Sequence, residues 1–200
     1  MTNHSDGTVI GTDGLARPPW AAQSPLLREY YDTEWGMPVH DETELFERLV
    51  LESFQAGMSW AIILRKREAF RTAFDGFDPD TVALFDDTKV ANLMSNEGIV
   101  RNERKIRAAI TNAQATIALR EEGGLDTFLW SFKPAETPAP RTMEEVPNRS
   151  PESEAMAKQL KKRGFTFVGP VSCFALMEAI GIVDTHLVGS YRRGSSGVWA

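Results

Sequence analysis

The sequence has very few residues of the types that cross-link small proteins. Its 200 residues include one cysteine and three histidines. A single cysteine cannot form an intramolecular disulfide framework, and it cannot supply a cysteine-rich zinc site. This usage excludes the class of small secreted disulfide-rich domains and favours a reducing compartment.

Long hydrophobic runs are also absent from the sequence. No stretch approaches the roughly 18 to 20 consecutive apolar residues of a membrane span, and the N-terminal segment has no basic region leading into an apolar run. We therefore expect a cytoplasmic protein with no membrane partner. The net charge of -6 argues against a nucleic-acid-binding protein whose whole surface is basic. It does not describe the charge of any one patch of the surface.

The length and the overall composition, with 42% hydrophobic and 25% charged residues, are typical of one globular domain. From Trp20 onward, apolar residues recur at helical spacing. Start signals such as Asp41 followed by Glu44 divide the pattern into helices. Alternating strand patterns are few. The sequence predicts an all-α domain over residues 18–190, between a flexible N-terminal tail (1–17) and a C-terminal tail (191–200).

A basic segment lies at the turn between two predicted helices. In NEGIVRNERKIRAAI, Gly98 and Val100 are followed by Arg101, Arg104 and Lys105. Backbone N–H groups at such a turn, and at the start of the second helix, can bind a phosphate. A solvated basic helix face with a capping glycine explains the same spacing, and the pattern alone favours it.

A second basic cluster ends a later predicted helix. Lys161, Lys162 and Arg163 precede Gly164, which has the position of a helix C-cap. Cations at a helix C-terminus complement the helix dipole in any protein. The alternative hypothesis is that this cluster binds a phosphate backbone beside the first basic segment.

Glu52 lies at the edge of an apolar helix stripe, three residues after Leu49. Its carboxylate is either solvated at the rim of the core, which is the usual outcome, or faces a pocket. Gln55 and Trp60 follow at a predicted helix junction. A carboxylate beside a Trp plane suits a purine, because the ring stacks and the acid accepts from an exocyclic amine.

Aromatic residues are concentrated where the ordered region is predicted to begin. They are Trp20, Tyr30, Tyr31 and Trp35. Aromatic clusters of this kind are more often part of a core than of a ligand cage. The pattern alone therefore leaves both interpretations open.

These segments together resemble the bacterial 3-methyladenine DNA glycosylase I family. The resemblance runs from about Arg17 to Gly189 and is carried by WAAQSPLLREYYDTEWGMP, LESFQAGMSWAIILRKRE, NEGIVRNERKIRAAITNA, FLWSF and LKKRGFTFVGP. The combination YDTEWG…QAGMSW…KKRGFTFVG is far more specific than any single motif.

The resemblance implies an all-α helix-hairpin-helix fold with a base pocket between two helical lobes. It implies a monofunctional enzyme of base-excision repair, without a lyase step. This enzyme would flip 3-methyladenine out of double-stranded alkylated DNA, hydrolyse its N-glycosidic bond and release the free base. We expect a monomer. A non-catalytic DNA-damage-binding module of the same fold is the alternative.

The resemblance also assigns roles to individual residues. Glu52 is expected to contact the exocyclic amine and the neighbouring ring nitrogen of 3-methyladenine, with Tyr30 as the second catalytic residue. Trp60 is expected to stack on the base. Three residues would complete the pocket: Trp20, Trp35 and Gln55. The residues expected to contact DNA are Gly98, Val100, Arg101, Arg104, Lys105, Lys161, Lys162, Arg163 and Gly164.

The chain departs from the family at one place. Members typically join their two ends through zinc held by a Cys-His-His-Cys set, and the corresponding positions here are Pro18, Tyr31, His186 and Ser190. A structural zinc site needs about four N, S or O ligands. The sequence therefore predicts no metal and no cofactor, with the ends held by packing and Tyr31 filling the space.

Overall fold

The computed structural model describes residues 7–199. Two short strands, β1 (Val9–Ile10) and β2 (Ala16–Arg17), form an antiparallel pair with Val9 opposite Arg17. The α-helices that follow are α1 (Pro25–Thr33), α2 (Glu42–Gln55), α3 (Trp60–Ala73), α4 (Pro79–Val82), α5 (Asp87–Ser95), α6 (Glu103–Leu119), α7 (Gly124–Trp130), α8 (Pro151–Lys162) and α9 (Pro170–Ala179). The predicted all-α class is confirmed.

Side-chain caps set the starts of the helices. The Asp41 carboxylate accepts the backbone N–H of Glu44 at 3.0 Å, as the sequence predicted for the start of α2. Asn102 accepts from the backbone of Lys105 at 3.2 Å, at the start of α6. Each of these contacts satisfies a backbone donor that has no partner inside its helix.

The main core surrounds α2, which packs against α3, α6, α7 and α9. Phe54 of α2 meets Phe70 of α3 edge to face, with 4.8 Å between ring centroids. Cys173 of α9 is buried in the same core, so it serves as a small apolar side chain. None of the helices in residues 7–199 is long and apolar enough to cross a membrane.

A smaller apolar cluster joins α1 to α3, around Leu27, Tyr30 and Leu64. The partly buried rings of Trp20, Trp35 and Trp60 pack against it. The site described below lies beside this smaller cluster, because Tyr30 and the three tryptophans also line its cavity.

The N-terminal segment is more ordered than the sequence predicted. Arg17 is only 3% exposed, and its guanidinium makes paired hydrogen bonds to Asp32 of α1, at 2.8 and 2.7 Å, and to Asp13, at 3.0 and 2.8 Å. A two-sided ion pair of this kind requires a fixed backbone on both sides. The predicted flexible tail over 1–17 is therefore corrected for residues 7–17, while residues 1–6 lie outside the described part of the chain.

The C-terminal segment is likewise packed onto the domain. The backbone N–H of Tyr191 donates to the carbonyl of Ala16 at 3.2 Å. The Arg193 guanidinium donates to the carbonyls of His186, at 2.8 Å, and Pro138, at 2.7 Å. These contacts hold 191–199 in a series of turns, so the predicted tail is an integral part of the fold.

Candidate active site

A cavity of about 270 Å³ opens between α1, the C-terminal part of α2, the start of α3 and the end of α9. It contains all six of the pocket residues that the sequence singled out. Its lining consists of Pro18, Trp20, Tyr30, Trp35, Glu52, Gln55, Trp60, Met143, Val146, Ala175, Glu178, Thr185, His186 and Leu187. The set combines an apolar, largely aromatic wall with a few polar groups, as expected for a small-molecule site.

Glu52 is the polar centre of this cavity. It is 6% exposed, and no described residue makes a hydrogen bond to its carboxylate. Burial and the nearby Glu178 raise its pKa to about 8, against an opposing effect of Arg48. A buried acceptor without a protein partner costs stability, so the site is built to receive a donor or a cation from outside the protein.

Tyr30 and Trp60 form the wall beside Glu52. Their ring centroids are 5.5 Å apart at an angle of 47°. Tyr30 is buried, which raises the pKa of its hydroxyl well above the usual range. The hydroxyl therefore stays neutral and can donate a hydrogen bond to a ligand.

The turn before α3 explains how Trp60 is placed. The side-chain amide of Gln55 donates to the carbonyl of Met58 at 3.0 Å, which closes the turn between α2 and α3. Gln55 therefore lines the cavity, and one of its two amide N–H groups is used inside the protein. This hydrogen bond supports the turn that presents Trp60.

Trp20 and Trp35 close the cavity on the side of the chain ends. Their ring centroids are 5.6 Å apart in an edge-to-face contact. Trp35 also packs edge to face against His186, with 4.7 Å between centroids. Both indoles are thus fixed by packing and form part of the cavity wall.

The four positions that the family resemblance assigns to zinc binding are occupied here by Pro18, Tyr31, His186 and Ser190. The hydroxyls of Tyr31 and Ser190 are hydrogen-bonded to each other, and His186 Nδ1 is 2.7 Å from Asp184 Oδ1. Pro18 offers no side-chain donor. This set does not fit a structural zinc ion, which takes thiolate, imidazole or carboxylate ligands. Residues 7–199 contain no group of three or more His, Cys, Asp or Glu arranged to hold a metal.

Sequence reasoning missed one acidic residue of the cavity. Glu178 of α9 lines it together with Glu52, and the Thr185 hydroxyl donates to Glu178 Oε1 at 2.5 Å. Burial raises the pKa of Glu178 to about 7. The signal in the sequence was a lone carboxylate in the apolar run CFALMEAI.

A basic face lies around the turn between α5 and α6. Arg101 and Arg104 are exposed there, with only a 3.7 Å contact between Arg101 and Glu97, and Lys161 and Lys162 are exposed at the end of α8. Gly98, whose N–H donates to the Asn96 side chain at 2.8 Å, and the half-buried Val100 form the turn itself. We call the cations Arg101, Arg104, Lys161 and Lys162 the basic face.

Two cations predicted to contact DNA are already used inside the protein. The Lys105 ammonium is buried and donates to the carbonyls of Phe54, at 3.0 Å, and Ala56, at 2.9 Å, so it caps the end of α2. Arg163 pairs with Glu122 at 2.7 Å. The prediction for Lys105 is corrected, and Arg163 is not a free cation. Gly164 has the C-cap conformation predicted for it, with φ +90°.

Phe167 is a second residue that sequence reasoning missed. It is 39% exposed and has a φ of +56°, a backbone conformation that is strained for any residue other than glycine. The Arg104 guanidinium lies 5.7 Å from the centre of its ring. Phe167 therefore lies at the protein surface next to Arg104, one of the cations of the basic face.

Comparison with known proteins shows which sequences this chain is similar to. Residues 20–193 match the methyladenine glycosylase family. The DNA-3-methyladenine glycosylase 1 of Escherichia coli K12 is 42% identical over 179 residues, which is 88% of this chain and 95% of that protein. A DNA-3-methyladenine glycosylase of Haemophilus influenzae is 40% identical over 86% of this chain and 94% of its own length.

Solved structures agree with the sequence comparison. A crystal structure of 3-methyladenine DNA glycosylase I superposes with a TM-score of 0.85 at 40% identity, covering 88% of this chain and 99% of the other. A variant of such an enzyme in complex with 3-methyladenine superposes with a TM-score of 0.80 at 32% identity, over 86% of this chain and 94% of the other. From its sequence, its fold and its cavity, the chain belongs to the methyladenine glycosylase family.

Proposed function

We propose that this protein is a monofunctional DNA glycosylase that removes 3-methyladenine from alkylated DNA. The observation that carries the proposal is the buried Glu52 carboxylate, which faces a purine-sized cavity beside Trp60 and has no hydrogen-bond partner in residues 7–199. Relatives that are named for this activity, at 42% and 40% identity, support the same conclusion.

The geometry suits a base that already carries a positive charge. A purine methylated at N3 is cationic in DNA, so it is a good leaving group. In the cavity its ring stacks on Trp60, while Glu52 accepts from the exocyclic amine and Tyr30 offers a donor. When the bond between the sugar C1′ and the base N9 breaks, its electron pair goes to the base and neutralises it. Water adds to C1′ and loses a proton to solvent.

The protein's contribution to this reaction is mostly binding and positioning. The scissile bond is weakened by the methyl group, so the enzyme has little need of a strong acid, and holding the flipped nucleotide in place supplies the remaining advantage. No described residue other than Glu52 and Glu178 brings a carboxylate into the cavity.

Double-stranded DNA is proposed to bind across the basic face and Phe167. The free cations there can contact phosphates on an otherwise acidic protein, and the turn at Gly98 and the start of α6 present backbone N–H groups. The net charge of -6 limits non-specific attraction. We therefore expect weak and strongly salt-dependent binding to undamaged DNA by a monomer.

Release of the free base is the experiment that tests this function. Incubated with DNA that has been treated with a methylating agent, the protein is expected to release 3-methyladenine, detected by chromatography, at a rate far above buffer. Undamaged DNA serves as the control. Binding to methylated or abasic DNA without release of any base would establish the non-catalytic damage-binding module instead.

We further propose that the chain ends are held without a metal, by Arg17, which pairs with Asp32 of α1 and lies over the ring of Tyr191, 5.2 Å from its centre. Arg17→Met is expected to lower the free energy of unfolding by about 2 kcal/mol or more, because it leaves Asp32 without its buried cation. For a protein of this size, that is a fall in Tm of roughly 4–8 °C. Thermal unfolding followed by circular dichroism measures it.

The same measurement in EDTA tests the absence of a metal. We expect the Tm of the wild type to be equal with and without the chelator. Arg149→Met, which removes an exposed arginine with only a 4.0 Å contact to Glu154, is the matched control and should leave Tm unchanged. A large fall in Tm on chelation, or stoichiometric zinc in the purified protein, would contradict the proposal.

A further inference from the structure

The cavity contains a second carboxylate that base recognition by Glu52, Tyr30 and Trp60 does not use. Glu178 lines the same cavity as Glu52, on α9, which packs directly against α2. One of its oxygens, Oε1, accepts the Thr185 hydroxyl. No other described residue makes a hydrogen bond to this carboxylate, so Oε2 is available to a group inside the cavity.

We propose that Glu178 is a specificity-determining residue: together with Glu52 it makes the cavity select purines that carry a positive charge. The proposal rests on the proposed function, because it concerns the base that enters this cavity. It names a residue that neither the sequence motifs nor the resemblance assigned.

The charges around the cavity explain why the pair selects a cation. Glu52 lines it from α2, where the nearby Arg48 opposes the rise in the pKa of Glu52, and Tyr30 lines it from α1. His186 faces it from the segment after α9, where its Nδ1 is bound to Asp184. The α3 residue that lines the cavity is Trp60, and the segment around residue 145 contributes the apolar Met143 and Val146. Among residues 7–199, the carboxylates that line the cavity are therefore Glu52, which has no hydrogen-bond partner there, and Glu178, which accepts from Thr185.

Two carboxylates that share a poorly hydrated site do not both ionise at neutral pH. Glu178 raises the cost of ionising Glu52, and burial raises the pKa of both groups. In the protein without a ligand, the carboxyl groups of Glu52 and Glu178 together therefore hold about one proton near neutral pH. A cationic base supplies the missing positive charge, so its entry allows the second carboxyl to ionise and releases that proton.

A neutral purine gains nothing from this exchange. It offers no charge to replace the proton, and it must still cover two acid groups. The pair therefore penalises undamaged adenine and favours the alkylated base. It also favours release of the product, because the free base has lost its positive charge when the glycosidic bond has broken.

Binding of two small purines tests the proposal without any need for catalysis. The probes are 3,9-dimethyladeninium, which has a fixed positive charge, and 9-methyladenine, which is neutral. Quenching of tryptophan fluorescence reports their binding from pH 5.5 to 9. For the wild type, the affinity for the cation is expected to rise up to tenfold per pH unit near neutral pH, because one proton leaves on binding. The affinity for the neutral purine should not rise.

Glu178→Gln is the informative variant, since the amide oxygen can still accept from Thr185 and the shape is conserved. We expect the ratio of affinities for the cationic and the neutral purine at pH 8.5 to fall about tenfold or more. The rising limb for the cation should move to lower pH by at least one unit, because Glu52 loses its negative neighbour. Glu136→Gln, an exposed carboxylate outside the cavity, should leave both quantities unchanged.

The outcomes separate this proposal from the proposed function. Selective, pH-dependent binding of the cation by the wild type, with a lower affinity ratio and a rising limb at lower pH in Glu178→Gln, supports the role of Glu178 even if no base is released from DNA. An unchanged ratio and unchanged pH dependence in Glu178→Gln overturn it even if the wild type is an active glycosylase. A wild type that does not distinguish the two probes overturns it as well.

Discussion

Glu52→Gln is expected to slow the release of 3-methyladenine from methylated DNA by about 10- to 100-fold. This factor corresponds to the roughly 1.5–3 kcal/mol that a hydrogen bond to a charged group contributes. The amide keeps the shape of the cavity but removes the negative charge that faces the cationic base. The measurement is a single-turnover rate of base release with enzyme in excess over DNA.

The same substitution is expected to stabilise the protein at high pH. The pKa of Glu52 is raised from 4.5 to about 8. A carboxyl with a raised pKa favours the folded state below its unfolded pKa, and this contribution is lost as the pH rises through the folded value. Glu52→Gln, which cannot ionise, should therefore raise Tm at pH 8.5 by several degrees and change it little at pH 5.

Glu44→Gln is the control for both measurements, because Glu44 lies on the same helix but is exposed at its first turn. It should change neither the rate nor the pH dependence of Tm. A Glu52→Gln protein with wild-type release would remove Glu52 from the catalytic set. Equal Tm differences at pH 5 and pH 8.5 would show that its carboxyl is not held in the buried environment described here.

Much of the helical framework could be predicted because its signals are local. The Asp41 cap and the positive φ of Gly164 depend on a few neighbouring residues, and both were predicted. The order of residues 7–17 could not be predicted in the same way. It depends on the ion pair of Arg17 with Asp32, two residues whose proximity is set by the tertiary fold.

The residues of the candidate site likewise divide into those identified by local sequence and those brought together by the tertiary fold. The motif around Glu52 and Trp60 identified one wall of the cavity, because these residues are close in sequence. Glu178 lies 126 positions after Glu52 in the numbering and reaches the cavity only because α9 packs on α2. Lys105 was misassigned for a related reason: a lysine in a basic run has the same pattern whether its ammonium is in solvent or bound to the carbonyls of Phe54 and Ala56.

Trp60→Ala is expected to reduce base release by a factor comparable to that of Glu52→Gln, but for a different physical reason. Stacking on an aromatic side chain contributes about 1–3 kcal/mol per base, or roughly 10- to 100-fold, to neutral and cationic bases alike. Trp60→Phe should restore much of the rate, because a smaller ring still stacks against the base beside Tyr30.

Binding of the charged and the neutral purine distinguishes the cause of slower base release in Trp60→Ala from its cause in Glu52→Gln. Without Trp60, both 3,9-dimethyladeninium and 9-methyladenine should bind more weakly. The ratio of their affinities should fall less than it does without the Glu52 carboxylate, because only the cation–π part of the stacking distinguishes the two purines. Without the Glu52 carboxylate, the cation alone should lose affinity and the ratio should fall. A Trp60→Ala protein with a wild-type rate, or one that loses only the cation, would show that Trp60 does not form the stacking surface and that electrostatics alone holds the base.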